Sequence, residues 1–555
     1  MHKILDENYL DLLIENSFAS VLQKEYDLTR INARYSVLHS PASRFNMCGL
    51  GNYPYHIFPT LYTLNSTVSL EKSNVITIQN NVNLSLFGEG VVIGFVDTGI
   101  DYLHEAFLNT DGSTKIFSIW DQTIETDTPP EGFTFGAEYD KSMINMALAA
   151  EYPFSIVPSN DENGHGTMLA GIAAGSQNPE VGFRGVAPQS ELIVVKLAPA
   201  KRLNKKIHSI RESALCYPET NIFLGIEYIL SVIQRIERPL VLCIGIGSSQ
   251  SAHDGQSALG MYLNALSAMP TIAVCVSAGN EGSAQRHYRG TIVGTQPSQN
   301  IEFIISEKDP QFPLEIWQKS PNRLSVELIS PTGERIHSIL PGFNICREHT
   351  FVFQTSKVYI NNFIMEEETG EQLILIRFEN ALGGIWKLRV TSIDNITSLF
   401  DAWMPSGDII SSETFFLKSD PNVTITSPGN SPNPVTVTAY NQSQNSILLT
   451  SSHGFSSTNI VKPEIAAPGY ALTCPLPGQN YGTATGTGAA SAHAAGIIAL
   501  FMEWAVWKGN YTTITGRDIS RLLIRGARRD KNIAYPNPVW GYGQIDIQGL
   551  FRSLT

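Results

Sequence analysis

Positive charge is in short supply: 38 Lys and Arg stand against 51 Asp and Glu, a formal net charge of −13. Gripping a phosphate backbone needs a basic face, so nucleic acid is excluded as the main partner. Cysteine is scarce as well, with six in 555 residues. Cys48, Cys216, Cys243, Cys275, Cys346 and Cys474 lie far apart with no Cys-x-x-Cys pair. They read as buried small hydrophobes in a reducing compartment. No metal-ligand spacing is present, and no cofactor is called for. Long apolar runs are also missing. The stretch Gly496 to Trp507 is interrupted by Glu503 and falls short of the ~20 residues a bilayer requires. Met1 to Asn8 carries acids where a signal peptide has its apolar core. The expectation is a chain with neither export signal nor membrane span.

What remains is ordinary globular material, 43% hydrophobic and 16% charged, long enough for more than one domain. Residues 1 to 80 form a first unit. Leu10, Leu13, Phe18, Val21 and Leu22 predict a helix over Tyr9 to Tyr26, and short β-like pieces follow from Tyr53 to Val75. From 81 to 283 strands and helices alternate, which predicts a parallel α/β sheet. Its strands are the apolar runs from Val91, Glu191, Leu240 and Thr271, together with Ile116 to Asp121. Asn221 to Arg238 predicts a helix stopped by Pro239. Residues 284 to 445 show short alternating strands and no helix of any length, hence an inserted all-β jelly roll or sandwich. The α/β pattern resumes over 446 to 555, with a closing helix from Ala494.

Four turns sit where an α/β sheet places its chemistry. Asp97-Thr98-Gly99 ends the first central strand, and Gly164-His165-Gly166-Thr167 opens a helix of small residues. Ser277-Ala278-Gly279-Asn280 ends a later strand, and Gly486-Thr487-Gly488 leads into another small-residue helix. The order Asp, His, Asn, nucleophile resembles the subtilisin-like (S8) serine proteases. The first unit, the β insertion and Ser118 to Ile124 narrow the resemblance to the Csp germination proteases of clostridial spores. That resemblance implies a subtilisin-like parallel sheet flanked by helices, with an N-terminal α+β prodomain acting as chaperone and inhibitor. It also implies that Asp97 orients the imidazole, His165 is the general base and Asn280 donates to the oxyanion. Gly245, Ile246 and Gly247, with Ser277, Ala278 and Gly279, would bind substrate.

The nucleophile is the exception. Gly488 stands where the family has serine, and a residue without Oγ cannot form an acyl intermediate. Ser491 lies one helical turn further on, some 4–5 Å along the axis by the rise of an α-helix, outside the ~3–3.5 Å needed for attack. Subtilisin without its serine retains only roughly 10³–10⁴-fold over water. Gly245 also replaces a serine of the family's Ser-Leu-Gly strand, which predicts a looser cleft edge and drift of the whole site. The resemblance therefore implies a pseudoprotease regulator or germinant sensor of spore germination. Its partners would be other Csp proteases or a cortex hydrolase precursor, and a small-molecule germinant is compatible. The alternative is an active endopeptidase cleaving that precursor, with a glycine put in the serine's place; a third is hydrolysis by an imidazole-activated water. If the site is inactive the prodomain stays attached, because self-cleavage, expected near residues 75–90, needs the missing hydroxyl.

Overall fold

The computed structural model describes residues 2–23, 25–65, 75–79, 84–126, 129–343, 345–394 and 396–554. The body is built on a nine-stranded sheet. Its parallel strands run in the spatial order Ile116–Asp121, Glu191–Lys196, Val92–Asp97, Leu240–Ile244, Ile272–Ser277, Val435–Asn441 and Ile465–Pro468. Ala137–Asp140 closes one edge antiparallel, and Ser446–Ile447 pairs antiparallel with the end of Val435–Asn441. Val92–Asp97 and Ile272–Ser277 are buried at every position, as an unbroken apolar run must be when helices cover both faces of a parallel sheet. Val435–Asn441, within the span expected for the insert, belongs to this sheet instead.

The helix Thr487–Met502 crosses the core with every residue buried. It begins seven residues before the expected Ala494, so Gly488 sits in its first turn. Apart from His493, residues 488–496 are glycine, alanine and serine, which let it lie close to the sheet. With the π-helical turn Glu503–Trp507 it makes a continuous 21-residue helix, long and apolar enough to cross a membrane by length and composition, but 89% of its most apolar 18-residue window is buried inside the body. The helix of the Asn221 region runs Glu219–Ile236.

The first unit departs most from expectation. Tyr9–Glu15 is a strand, paired antiparallel with Tyr35–Pro41, and only Asn16–Leu22 is helical. Leu10, Leu12 and Ile14 face one core while Leu13 faces another. A strand buried on both sides shows no alternation, and its apolar run mimics helical spacing. Asp27–Arg30 completes this three-stranded sheet. Of the β-like pieces expected up to Val75, Leu61–Leu64 is a strand, and residues 66–74 lie outside the described residues.

The insert comprises a six-stranded and a five-stranded antiparallel sheet, with strands between His287 and Phe416. Their inner faces share one core that includes Phe303, Leu314, Phe378 and Trp386, a β-sandwich. The free-thiol reading of the cysteines holds for Cys216, Cys243, Cys275 and Cys474, all buried. It fails for Cys48 and Cys346, which form a disulfide with Cα atoms 5.3 Å apart. That bond ties the first unit to the insert across 298 positions, a pairing that no local spacing announces.

Candidate active site

Asp97 stands at the carboxyl end of its strand and His165 at the first position of the helix His165–Ala174. Glycine brings them together. A Cβ on Gly166 would fall 2.1 Å from the Gly99 carbonyl oxygen, so only glycine lets the helix rest on the Asp97 turn. The contact is stitched by Gly166 N–H to Thr98 Oγ1 at 2.8 Å and Asp101 N–H to Thr167 Oγ1 at 2.9 Å. Asp161 caps the helix by accepting from the amides of Gly164 and Thr167, each at 2.9 Å. The result is a 2.7 Å bond from His165 Nδ1 to Asp97 Oδ1.

The other ring nitrogen is engaged too. His165 Nε2 lies 2.9 Å from the backbone carbonyl oxygen of Asn65. A carboxylate oxygen on one side and a carbonyl oxygen on the other both need donors, so making both bonds at once requires the imidazolium form. Burial opposes that charge, but the Asp97 charge and hydrogen bond and the Asn65 carbonyl outweigh it and raise the His165 pKa above its ordinary value.

Asn65 ends a strand that fills the cleft. Leu61–Leu64 pairs antiparallel with Ile246–Gly247 on one side and with Tyr217–Pro218 on the other. Asn65 N–H donates to Gly245 O at 3.0 Å, and its side-chain amide donates to Ser277 Oγ at 3.1 Å. Tyr62 is fully buried, with its hydroxyl 3.3 Å from Ser427 Oγ. Thr63 Oγ1 donates to Gly247 O at 3.3 Å. The chain thus lies in its own cleft as an extended peptide held on both edges, with the Asn65 carbonyl at His165. Asn65 and Tyr217–Pro218 were not foreseen; the β-like pattern ahead of residue 65 was the only sequence sign.

Of the expected substrate-binding residues, Gly245, Ile246, Gly247 and Ser277 touch this strand. Ala278 and Gly279 give their amides to Val437 O at 3.0 Å and Thr487 Oγ1 at 3.1 Å. Gly245 is buried rather than loose. A Cβ there would come within 2.3 Å of Leu169 Cδ1 and 3.6 Å of Asp97 Oδ2. Leu169 occupies the space a serine would need, and Asp97 Oδ2 is left buried without a hydrogen-bond partner.

At the fourth turn, Asn280 Oδ1 accepts from Thr487 N and Thr487 Oγ1, each at 3.1 Å. The amide is held by its oxygen, and its NH₂ end is left for the cleft. No hydroxyl substitutes at Gly488. Ser491 is fully buried and bonded to the Gly488 carbonyl, and Thr487 is committed to the 279–280 turn. Water activation by His165 is also closed off, since Asn65 holds Nε2. Among the described residues no group of three or more His, Cys, Asp or Glu is placed to hold a metal ion.

Comparison with known proteins agrees with this geometry. The subtilase family model matches residues 88–309 and 379–543, more than half of the chain. The solved structure of the CspB protease of Clostridium perfringens superposes with a TM-score of 0.76 at 29% identity, covering 87% of this chain and 98% of that one. Among curated proteins, the Arabidopsis thaliana subtilisin-like proteases SBT3.8 and SBT3.5 are 32% and 33% identical over 152 and 131 residues. Those matches take in 24% and 22% of this chain but only 18% and 16% of the relatives' lengths. The sheet, its helices and the added β-sheets form a subtilisin-like α/β fold, and the chain belongs to the subtilase family.

Proposed function

We propose that this protein is a catalytically inactive, Csp-type subtilase that acts as a regulator in bacterial spore germination. In this reading it governs a partner protease that activates a cortex hydrolase precursor, or senses the germinant signal itself, and it resides in the spore. The observation that carries the inactive assignment is Gly488: the position where the resemblance places the nucleophile has no hydroxyl, and both neighbouring hydroxyls are bonded elsewhere. The likeness to CspB supports the setting. In the assigned roles Asp97 and His165 form a charged pair that grips the Asn65 carbonyl, and Asn280 is an unused oxyanion donor. The cleft then works as a strand receptor, occupied by residues 61–65.

A second reading has its own support. The intact Asp97–His165 bond and the strand docked in register suit a working endopeptidase whose serine has been replaced. The mass of the natural protein, reduced and denatured, separates the two. A single species near 60.9 kDa fits the regulator. A break after Asn65 means the natural chain carries a nucleophile, and the protein is then a protease.

A further inference from the structure

Away from the cleft, the first unit, the body and the insert meet around a groove of about 550 Å³, within the 300–1,000 Å³ typical of small-molecule sites. Its apolar wall comes from Ile14, Phe18, Leu22 and Ile57 of the first unit and Met261 of the body. Phe18 is 61% exposed, a large ring left in solvent at the groove's rim. At one end the groove adjoins a narrow recess with room for about 20 Å³, since His56 and Glu368 line both. That is room for one group of about a water's size.

The recess is polar and unsatisfied. Glu219, Ser251 and Glu366 also line it. Glu366 is 4% exposed, and its Oε1 has no hydrogen-bond partner; nor do Ser251 Oγ and His56 Nδ1. His56 Nδ1 and Glu366 Oε1 face each other at 3.7 Å, a long ion pair beyond hydrogen-bond range in which Glu366 helps hold the His56 pKa up against burial. Glu219, Glu366, Glu367 and Glu368 confront one imidazole here, because the other cation, Arg34, is bonded to Glu15 at 2.8 and 3.0 Å. Burial with so little compensation pushes the Glu219 and Glu368 carboxyls up to about 7.

We propose that this compartment is a binding site for an amphipathic amine, its apolar body along Phe18, Leu22 and Ile57 and its protonated head among Glu366, Glu368 and Ser251. An ammonium group donates only, and Glu366 Oε1 and Ser251 Oγ, both buried without a hydrogen-bond partner, are placed to accept from it. An anion would meet four carboxyls, and a neutral tail would leave Glu366 Oε1 unpaired. Because three structural units line the site, an occupant also fastens them together.

Calorimetric titration of the full-length protein with phenylbutylamine, phenylbutyrate and phenylbutanol tests the idea. The three probes share one apolar body and differ in the head. The amine is expected to bind at least about tenfold tighter than either other probe, the effect of a charge-assisted hydrogen bond. Glu368→Gln and Glu366→Gln should each weaken the amine about tenfold while leaving the alcohol unchanged. Phe18→Ser, at an exposed position, should weaken all three without lowering the melting temperature. Equal binding of the acid or alcohol, no binding of the amine at millimolar concentration, or indifference to both glutamine variants in folded protein overturns the proposal.

Discussion

Placing a hydroxyl at 488 should make the chain cut itself, at one bond. In Gly488→Ser the new Oγ would arise in the first turn of the Thr487–Met502 helix, beside a histidine already bonded to Asp97 at 2.7 Å. Loss of the serine costs subtilisin about 2 × 10⁶ in kcat, close to 9 kcal/mol, so this is the ceiling on the gain. Against it, His165 must give up the Asn65 carbonyl for the hydroxyl, a charge-assisted bond of about 1.5–3 kcal/mol, or one to two decades. The expected net gain in self-cleavage is therefore about 10⁴–10⁵ over the glycine form. The assay is intact mass after reduction, which should show residues 1–65 and 66–555. Reduction is essential, because Cys48–Cys346 otherwise holds the pieces together and the cut shows only as one added water. A folded variant that stays whole, or that breaks at a bond other than Asn65–Ser66, would refute the assignment of Asn65 to the cleft.

Gly245→Ser alone should destabilise the protein through the 2.3 Å approach to Leu169, with the melting temperature recovering on adding Leu169→Val. Tyr62→Ala removes a fully buried ring and should loosen the cleft strand by up to ~3–5 kcal/mol, read as faster amide exchange over 61–65 than elsewhere. Because the His165 pKa is raised by its docked partners, its contribution to docking is complete below the ordinary histidine value of about 6.5 and lost as pH rises through the higher docked value. Exchange protection at Asn65 should fall over that window in the native chain and stay flat in His165→Gln; protection that grows with pH contradicts the imidazolium. Cys346→Ser opens a loop spanning 298 positions and should lower thermal stability, by as much as about 5 kcal/mol in the chain-entropy view. A thiol titration of the unreduced wild type should count four groups, all only after unfolding.

The parts of the site that glycine dictates were legible in the sequence. Asp97-Thr98-Gly99 and His165-Gly166-Thr167 announce themselves because the helix approaches the turn too closely for any side chain at 166. The parallel strands were legible because burial on both faces leaves an unbroken apolar run. The same property hid Tyr9–Glu15, whose double burial erases the alternation that marks a strand. Asn65 carries no local signal at all; it becomes a site residue only because the chain folds back over the cleft. Gly245 misled for a related reason: the residue that fills its space, Leu169, lies on another element, and complementarity between distant positions is invisible without the fold. The Cys48–Cys346 bond is the same kind of fact.

The strand in the cleft has two neighbours, Ile246–Gly247 and Tyr217–Pro218, joined to each other only through it. Remove residues 61–64 and both become bare sheet edges with unpaired amides and carbonyls, open to stray strand addition. An empty cleft is thus a hazardous state, and the natural transition is replacement of one strand by another. A tethered strand competes at an effective concentration of order millimolar, so if its own intrinsic affinity for the cleft is about micromolar, any outside segment is discounted about a thousandfold. A partner that enters must therefore bring contacts beyond the cleft, arrive at high local concentration, or act where the tether has been weakened.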